Sequence, residues 1–271
     1  ESAIDPSFLE RAGCDLERLM YVQASSVEFV LETVEELLGA TDEQLLFIWD
    51  SLALTPSISD VEGDFNPQSS MAVKARILAK GMSKLIIPIA DKQATFLVLN
   101  QLKTNIPSGP NARIVAMTTP YMTPGGKAMH YSYSLRIWLT GRKAKSAFIE
   151  DDKGFRIGSE VKVKLEKSRF GTQGRTCAFR ILWGSDDIGI RDEESWFEAI
   201  KGSDYLKSAG AWYTLTMPDG YEKKFQPSKW TQIIQSDEEF RANVLKLMDE
   251  EVVRKFDKRE GSAEQFYSDP E

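Results

Sequence analysis

The chain has 271 residues, of which 42% are hydrophobic and 28% are charged, as is usual for a globular protein with an ample core. Its formal net charge of −7 excludes a general attraction to nucleic acid, so any DNA site must be a local basic patch. Because Cys14 and Cys177 are the only cysteines and His130 is the only histidine, disulfide frameworks and His-rich metal sites are excluded, and a reducing, cytoplasmic compartment is expected.

The first fifty residues predict an alternation of strands and helices. Residues 8–12 have a helical pattern, and residues 19–22 form a short apolar run that is a candidate strand. Residues 25–28 have the form of a capping box, which opens a helix with apolar side chains at the helical period. The apolar run at 45–49 is typical of a strand buried on both faces. This order predicts a right-handed parallel βαβ unit.

An acid and a hydroxyl follow the buried strand directly. Asp50 and Ser51 would lie at the carboxyl end of that strand, where open α/β sheets bind ligands. A carboxylate there commonly holds Mg²⁺ through water beside a nucleotide phosphate. The alternative is an ordinary strand-end Asp that caps the next turn, and Ser51 is equally suited to such a cap.

The middle of the chain contains two candidate loops. Residues 60–70 are polar, and residues 71–85 then have a helical pattern with a basic side, which in most proteins is simply solvated. Residues 96–99 predict a second buried strand, followed by Asn100 and Gln101 at the same edge as Asp50 if the two strands are parallel. Residues 103–124 contain four prolines without periodicity, which indicates a functional or disordered loop.

The second half predicts antiparallel strands and then a separate lobe. Residues 135–139, 148–158, 161–165 and 177–183 have strand or hairpin patterns. Helical spacing at 195–207 and 237–258, with a hairpin between, indicates a small C-terminal lobe. The predicted domains are therefore a core at 1–192, a lobe at 193–258 and a disordered polar tail at 259–271.

Several of these segments, taken together and in order, carry a family resemblance. They are residues 1–8, 49–56, 61–64, 99–101, 102–124, 125–128, 166–169 and 209–213. The chain resembles the RecA-type DNA recombinases, the family of bacterial RecA and the phage recombinase UvsX. The resemblance implies an α/β fold, with a RecA-like ATPase core of parallel sheet, antiparallel extension and flanking helices, plus a small α+β C-terminal lobe.

The resemblance assigns nucleotide chemistry to specific residues, with ATP and Mg²⁺ as cofactors. Glu1 would polarise the attacking water, and Asp5 and Phe8 would contact adenine. Asp50 with Ser51 would hold the metal, and Gln101 would sense the γ-phosphate. Lys167 and Arg169 would reach the nucleotide bound by a neighbouring protomer. The alternatives are plain ones: an exposed terminal acid, a core phenylalanine, a buried satisfied glutamine and a solvated strand face.

The resemblance also assigns DNA contacts and partners. Single-stranded and duplex DNA would contact Met71, Arg76, Lys103, Arg113, Gly125 and Gly126. The alternative for the two loop cations, Lys103 and Arg113, is that they are only solvated charges. A further implied partner is the chain itself, in a helical filament. His130 is predicted to lie on a helix surface or interface rather than to act as a catalyst. No membrane partner is expected, since no apolar run is long enough to span a bilayer and no signal peptide is visible.

One family motif is missing from the 271 residues. The phosphate loop G-x-x-x-x-G-K-[ST], which in the family precedes the segment that Glu1 begins, does not occur. The chain, which starts without Met, thus resembles the C-terminal part of a recombinase that needs an N-terminal segment or chain as its complement, and alone it is predicted neither to hydrolyse ATP nor to form normal filaments. The alternatives are a non-catalytic RecA-fold module that binds or regulates filaments and, more distantly, a RecA-fold helicase.

Overall fold

The computed structural model describes residues 4–63, 72–119, 121–141, 147–184 and 188–254. Contacts divide the chain into two compact units, the first ending at Ser134 and the second beginning at Leu135, and each has its own apolar core. Helices and strands are mixed, as predicted, but the described strands form small separate sheets and not one large parallel sheet. Within the described ranges, no helix combines the length and the apolar character needed to cross a bilayer.

The first unit is mainly helical. Its helices are α1 (Pro6–Arg11), α2 (Val27–Ala40), α3 (Ile58–Glu62), α4 (Val73–Asp91), α5 (Ala112–Thr118) and α6 (Gly126–Ser132). Its strands are β1 (Leu46–Trp49), β2 (Thr95–Val98), β3 (Lys103–Thr104) and β4 (Tyr121–Met122). Helix α2 begins where predicted, but its cap lies one residue later than in the predicted box. The Ser26 side chain accepts a hydrogen bond from the Phe29 amide at 3.1 Å, and the Glu28 carboxylate accepts from the Ile58 amide.

The core of the first unit lies between two helices and one face of β1 and β2. The buried stripe of α2, which includes Leu31 and Val34, belongs to the same cluster as Leu78 of α4. From the sheet side, Trp49 stacks on Phe96 with ring centroids 6.3 Å apart. The last residue of β1, Trp49, is thus part of the core of the first unit.

A glycine sets how closely α2 and α4 approach. A Cβ added to Gly81 would lie 2.5 Å from Leu31 Cδ1, whereas one added to Gly39 would meet nothing within 4 Å. Gly81→Ala should lower the free energy of unfolding, because overpacking costs about 1–3 kcal/mol and outweighs a gain of at most about 1 kcal/mol in helix propensity. Gly39→Ala gains helix propensity without overpacking, so it should raise the free energy of unfolding. Thermal unfolding of the two variants checks this, and an equal rise in both would contradict the close approach.

Several expectations about the first unit are wrong or only partly met. The strand predicted at 19–22 is wrong, because these residues are exposed and in no strand, and the βαβ unit predicted to begin with it is therefore wrong as well. An apolar run becomes a strand only where a neighbouring strand satisfies its backbone, and none is paired here. The runs at 45–49 and 96–99 do contain strands, but these strands have an exposed face that includes Leu46, Ile48 and Leu97. The long loop predicted at 103–124 instead contains the paired strands β3 and β4 with α5 between them.

The second unit combines an antiparallel sheet with a smaller helical lobe. Its strands are β5 (Leu135–Gly141), β6 (Phe148–Glu150), β7 (Arg156–Ser168), β8 (Thr176–Leu182), β9 (Gly189–Arg191), β10 (Leu206–Ala209), β11 (Trp212–Thr216) and β12 (Glu222–Phe225). Its α-helices are α7 (Glu193–Ile200), α8 (Trp230–Ser236) and α9 (Glu238–Met248), and Asp249–Val253 form a π-helical turn. The predicted antiparallel run is confirmed, with β5, β7, β8 and β9 in sequence and β6 also paired to β7.

The lobe has an aromatic core of its own. Trp230 is 2% exposed and lies within 5.5 Å of the rings of Phe197, Phe225 and Phe240, measured between centroids. The strands β10, β11 and β12 form the antiparallel sheet that covers this core. The domain boundary predicted after residue 192 therefore falls within the second unit, between β9 and α7, and the tail predicted at 259–271 lies outside the described residues.

Candidate nucleotide and DNA site

The carboxyl ends of β1 and β2 lie at one edge of a parallel pair. Trp49 is opposite Val98 in the register, so Asp50 follows β1 at the same edge where Asn100 and Gln101 follow β2. Backbone bonds extend the pairing beyond the strands, because the Leu99 amide donates to the Trp49 carbonyl at 2.9 Å. The two strand ends expected to meet in a parallel sheet are therefore neighbours.

Ser51 presents a buried hydroxyl at this edge. The residue is 6% exposed, and its Oγ has no hydrogen-bond partner, although its carbonyl accepts bonds from the Thr55 amide and hydroxyl at 3.2 and 2.9 Å. A buried polar atom left unpaired costs about 1–3 kcal/mol, which makes it a candidate contact for a ligand. The adjacent Asp50 side chain is exposed.

The pair Asp50 and Ser51 fits a hard cation that is shared with a nucleotide. Carboxylate and hydroxyl oxygens suit Mg²⁺, which usually takes only one or two protein ligands beside substrate phosphates. Elsewhere in the described ranges, no group of three or more histidine, cysteine or acidic side chains comes together as a metal cluster would. The donor set at this edge is of the kind that Mg²⁺ accepts beside substrate phosphates.

A concavity at the start of the first unit contains both predicted adenine contacts. Its volume is about 330 Å³, and it is lined by Ile4, Asp5, Phe8 and Leu9. Phe8 is 43% exposed, so the alternative that it is a core residue is wrong, and its ring is accessible for stacking. Asp5 caps α1, and hydrogen bonds from the Ser7 hydroxyl and then the Ser7 amide lower the pKa of this carboxyl. The predicted catalytic Glu1 lies outside the described residues.

The predicted DNA cations lie on three separate elements. Arg76 is on α4, Lys103 on β3 and Arg113 on α5, and all three are exposed, whereas Met71 lies outside the described residues. The basic side of α4 is divided, because Lys84 pairs with Glu35 of α2 at 2.6 Å. The charges of α4 are therefore not one uniform solvated stripe.

The two glycines at the start of α6, Gly125 as its N-cap and Gly126 as its first residue, have a packing role that requires no DNA. Their φ angles are +107° at Gly125 and +75° at Gly126, a region that residues with a Cβ rarely adopt. A Cβ would lie 3.0 Å from Met129 Cγ in the first case and 3.2 Å from the Cβ of Ala75 in the second. The glycines thus permit the left-handed turn and the close approach to α4, and DNA contact remains a prediction. His130 is exposed on α6, as expected of a surface residue.

In the second unit, the predicted interface cations lie near a third cation, Arg136, which no sequence pattern singles out. Lys167 lies near the end of β7 opposite Arg136 of β5, and Arg169 follows one residue beyond the strand. Burial lowers the pKa of Lys167, and the positive charges of Arg169 and Arg136 lower it further. Arg136 lies opposite Lys167 only because of the register between β5 and β7, which shifts at a bulge after Arg136.

Comparison with known families identifies the chain. A model of the RecA N-terminal domain matches residues 1–189. The chain belongs to the RecA family. The RecA match covers the first unit and the five-stranded sheet of the second as far as the start of β9, and it ends before the helical lobe.

Relatives within the RecA family are distant. The chain is 28% identical over 216 residues to Protein RecA of Streptococcus sanguinis, covering 79% of this chain and 53% of that protein. It is 30% identical over 219 residues to Protein RecA of Fusobacterium nucleatum, with 79% and 52% covered. For Streptococcus parasanguinis, the identity is 27% over 270 residues, with 97% and 67% covered. The chain thus spans about half the length of the first two RecA proteins.

Proposed function

We propose that this chain is part of a DNA recombinase acting in homologous recombination and DNA repair. In this proposal it is the C-terminal part of an ATPase that depends on single-stranded DNA, forms filaments on that DNA and promotes strand exchange. The observation that carries the proposal is the edge of the parallel pair, where Asp50, the unpaired buried hydroxyl of Ser51 and the strand end before Gln101 adjoin one another.

The nucleotide site is proposed to use residues of the first unit together with a phosphate-loop segment outside these 271 residues. Asp50 and Ser51 would hold Mg²⁺, which when bound neutralises charge on the β- and γ-phosphates. Gln101 would donate a hydrogen bond to the γ-phosphate, and Glu1 would orient the attacking water. Asp5 would accept a hydrogen bond from the adenine amino group while the Phe8 ring stacks on the base.

The cations of the second unit are proposed to act on the nucleotide of a neighbouring protomer. Lys167 and Arg169 would stabilise the negative charge that develops in phosphoryl transfer, as arginine fingers do, and Arg136, opposite Lys167 in the sheet register, would add a third positive charge. A head-to-tail contact of this kind generates an open filament when its rotation does not close.

DNA binding is proposed to be independent of sequence. Exposed Arg76, Lys103 and Arg113 would contact phosphates, with backbone amides near Gly125 and Gly126 and the side chain of Met71 completing the contacts. Such contacts leave the base edges free for a homology search. Duplex DNA would be the second substrate.

Binding of a fluorescent dT oligonucleotide to the chain tests the DNA part of the proposal. Binding should weaken with salt, and Arg76→Ala with Lys103→Ala should lower the slope of log affinity against log salt by about one for each lost phosphate contact. Lys84→Ala is the matched control, since its ammonium pairs with Glu35. Absence of binding, or an equal effect from the control, would refute the assignment.

Reconstitution of the chain with a phosphate-loop segment separates the recombinase from the alternative, a non-catalytic RecA-fold module that binds or regulates filaments. A chain that binds recombinase filaments but supports no ATP turnover with any phosphate-loop partner would be a non-catalytic RecA-fold module. DNA-stimulated turnover on reconstitution would establish the recombinase.

A further inference from the structure

Lys74 stands at a position that its own helix disfavours. It lies in the first turn of α4, where the helix dipole opposes positive charge, and the helix begins after Ala72 without a side-chain cap. A lysine there needs a compensating interaction from outside the helix. The local sequence offers no reason for it.

The compensation comes from the backbone of the loop that follows Asp50. The Lys74 Nζ donates to the carbonyl oxygens of Leu52 and Thr55, both at 2.6 Å, and to that of Ala53 at 3.4 Å. These contacts match the three donors of an ammonium group, and a charged donor forms stronger hydrogen bonds than a neutral one. Burial lowers the pKa of Lys74, although the negative charge of Asp60 opposes the shift.

The bound loop is itself fastened to the rest of the site. The Trp49 indole donates to the Thr55 hydroxyl at 2.9 Å, and the Leu52 amide donates to the Leu99 carbonyl at 3.0 Å, beside Asn100. Asn100 in turn donates from Nδ2 to the Pro124 carbonyl at 2.9 Å, immediately before Gly125. Movement at the ends of β1 and β2 is thus linked to α4 through one side chain.

We infer that Lys74 is a positioning residue that fixes the start of α4, and with it Arg76, to the loop behind Asp50. The inference rests on the proposed function, because it joins the proposed nucleotide edge to a proposed DNA contact two residues along the helix. Lys74 touches neither DNA nor nucleotide in this role. It transmits the arrangement of one site to the other through backbone carbonyls.

Amide hydrogen exchange of the chain without DNA tests the structural half. Lys74→Met should speed exchange about tenfold or more in peptides covering residues 50–57 and 73–80 together, because three carbonyls lose their cation. Lys74→Arg should keep most of the protection in both. Lys84→Met removes the same charge from the same helix and should leave residues 50–57 unchanged. If Lys74→Met does not fold, Lys74→Gln, which keeps a shorter donor, replaces it.

Binding to a dT oligonucleotide across a salt series tests the functional half. Lys74→Met should weaken DNA binding about tenfold but leave the slope of log affinity against log salt unchanged, because no phosphate contact is lost. Lys74→Arg should restore the affinity. A slope lower by about one would mean that Lys74 contacts phosphate directly and would overturn the inference, as would faster exchange with unaltered affinity. Failure of the unaltered chain to bind DNA would instead overturn the proposed function, and the inference with it.

Discussion

Replacing both Lys167 and Arg169 with alanine is expected to lower DNA-stimulated ATP turnover about 10³-fold or more in the protein reconstituted with its phosphate-loop segment. The two side chains lie near Arg136, and the pKa of Lys167 is lowered first by burial and then by the positive charges of Arg169 and Arg136. Positive charge at this place would stabilise the negative charge that develops in phosphoryl transfer. Nucleotide binding should persist, because the proposed phosphate cradle and adenine contacts belong to other residues.

A control on the same strand separates this role from general charge loss. Lys162 is an exposed residue of β7 opposite Thr140, and Lys162→Ala removes one positive charge without altering those three cations. Turnover should stay within about twofold of the unaltered protein, as expected of a surface charge. If the double variant also kept its turnover, the interface mechanism would be wrong.

Trp230→Ala is expected to destabilise the C-terminal lobe by about 3–5 kcal/mol, as for other large aromatic residues removed from a core. Trp230 contacts three other buried aromatic rings, and its indole donates to the Glu193 carbonyl at 2.6 Å, which fixes the start of α7. The substitution leaves a cavity and removes this hydrogen bond. A loss of this size is a large fraction of the total stability of an ordinary domain.

The matched control for Trp230 is a tryptophan on the surface of the same lobe. Trp212 is 42% exposed on β11, and Lys224 lies over its ring at 5.3 Å. Trp212→Ala should shift the unfolding midpoint in urea, followed by circular dichroism, far less than Trp230→Ala does. Equal shifts would show that Trp230 does not anchor the lobe.

Local sequence patterns predicted most elements that depend on local chemistry. The serine cap of α2 and the apolar runs of β1 and β2 mark those elements directly, and the polar residues after each strand marked the edge at which Asp50 lies. The run at 19–22 misled for a physical reason. Its composition suits a strand, but strand formation depends on a partner that the run itself does not specify.

Long-range placements were beyond the reach of sequence. In the sequence, Lys74 is one more charge on a predicted basic helix. Only the folded loop after Asp50 brings three backbone carbonyls to its ammonium group. In the sequence, Arg136 is an ordinary residue of a predicted strand, and only the pairing of β5 with β7 places it opposite Lys167. The exposure of Phe8 and the burial of the Ser51 hydroxyl likewise depend on what packs nearby, which no single segment encodes.

The claim that one protomer's cations serve the nucleotide held by its neighbour can be tested by mixing two inactive variants. Asp50→Asn would disable the metal site, and the Lys167→Ala, Arg169→Ala double variant would disable the cations. In an equal mixture reconstituted on single-stranded DNA, roughly one site in four of a random head-to-tail filament combines an intact Asp50 with intact cations from the next protomer. ATP turnover should therefore return to about a quarter of the normal value. Turnover that stays at the level of the separate variants would contradict the shared site.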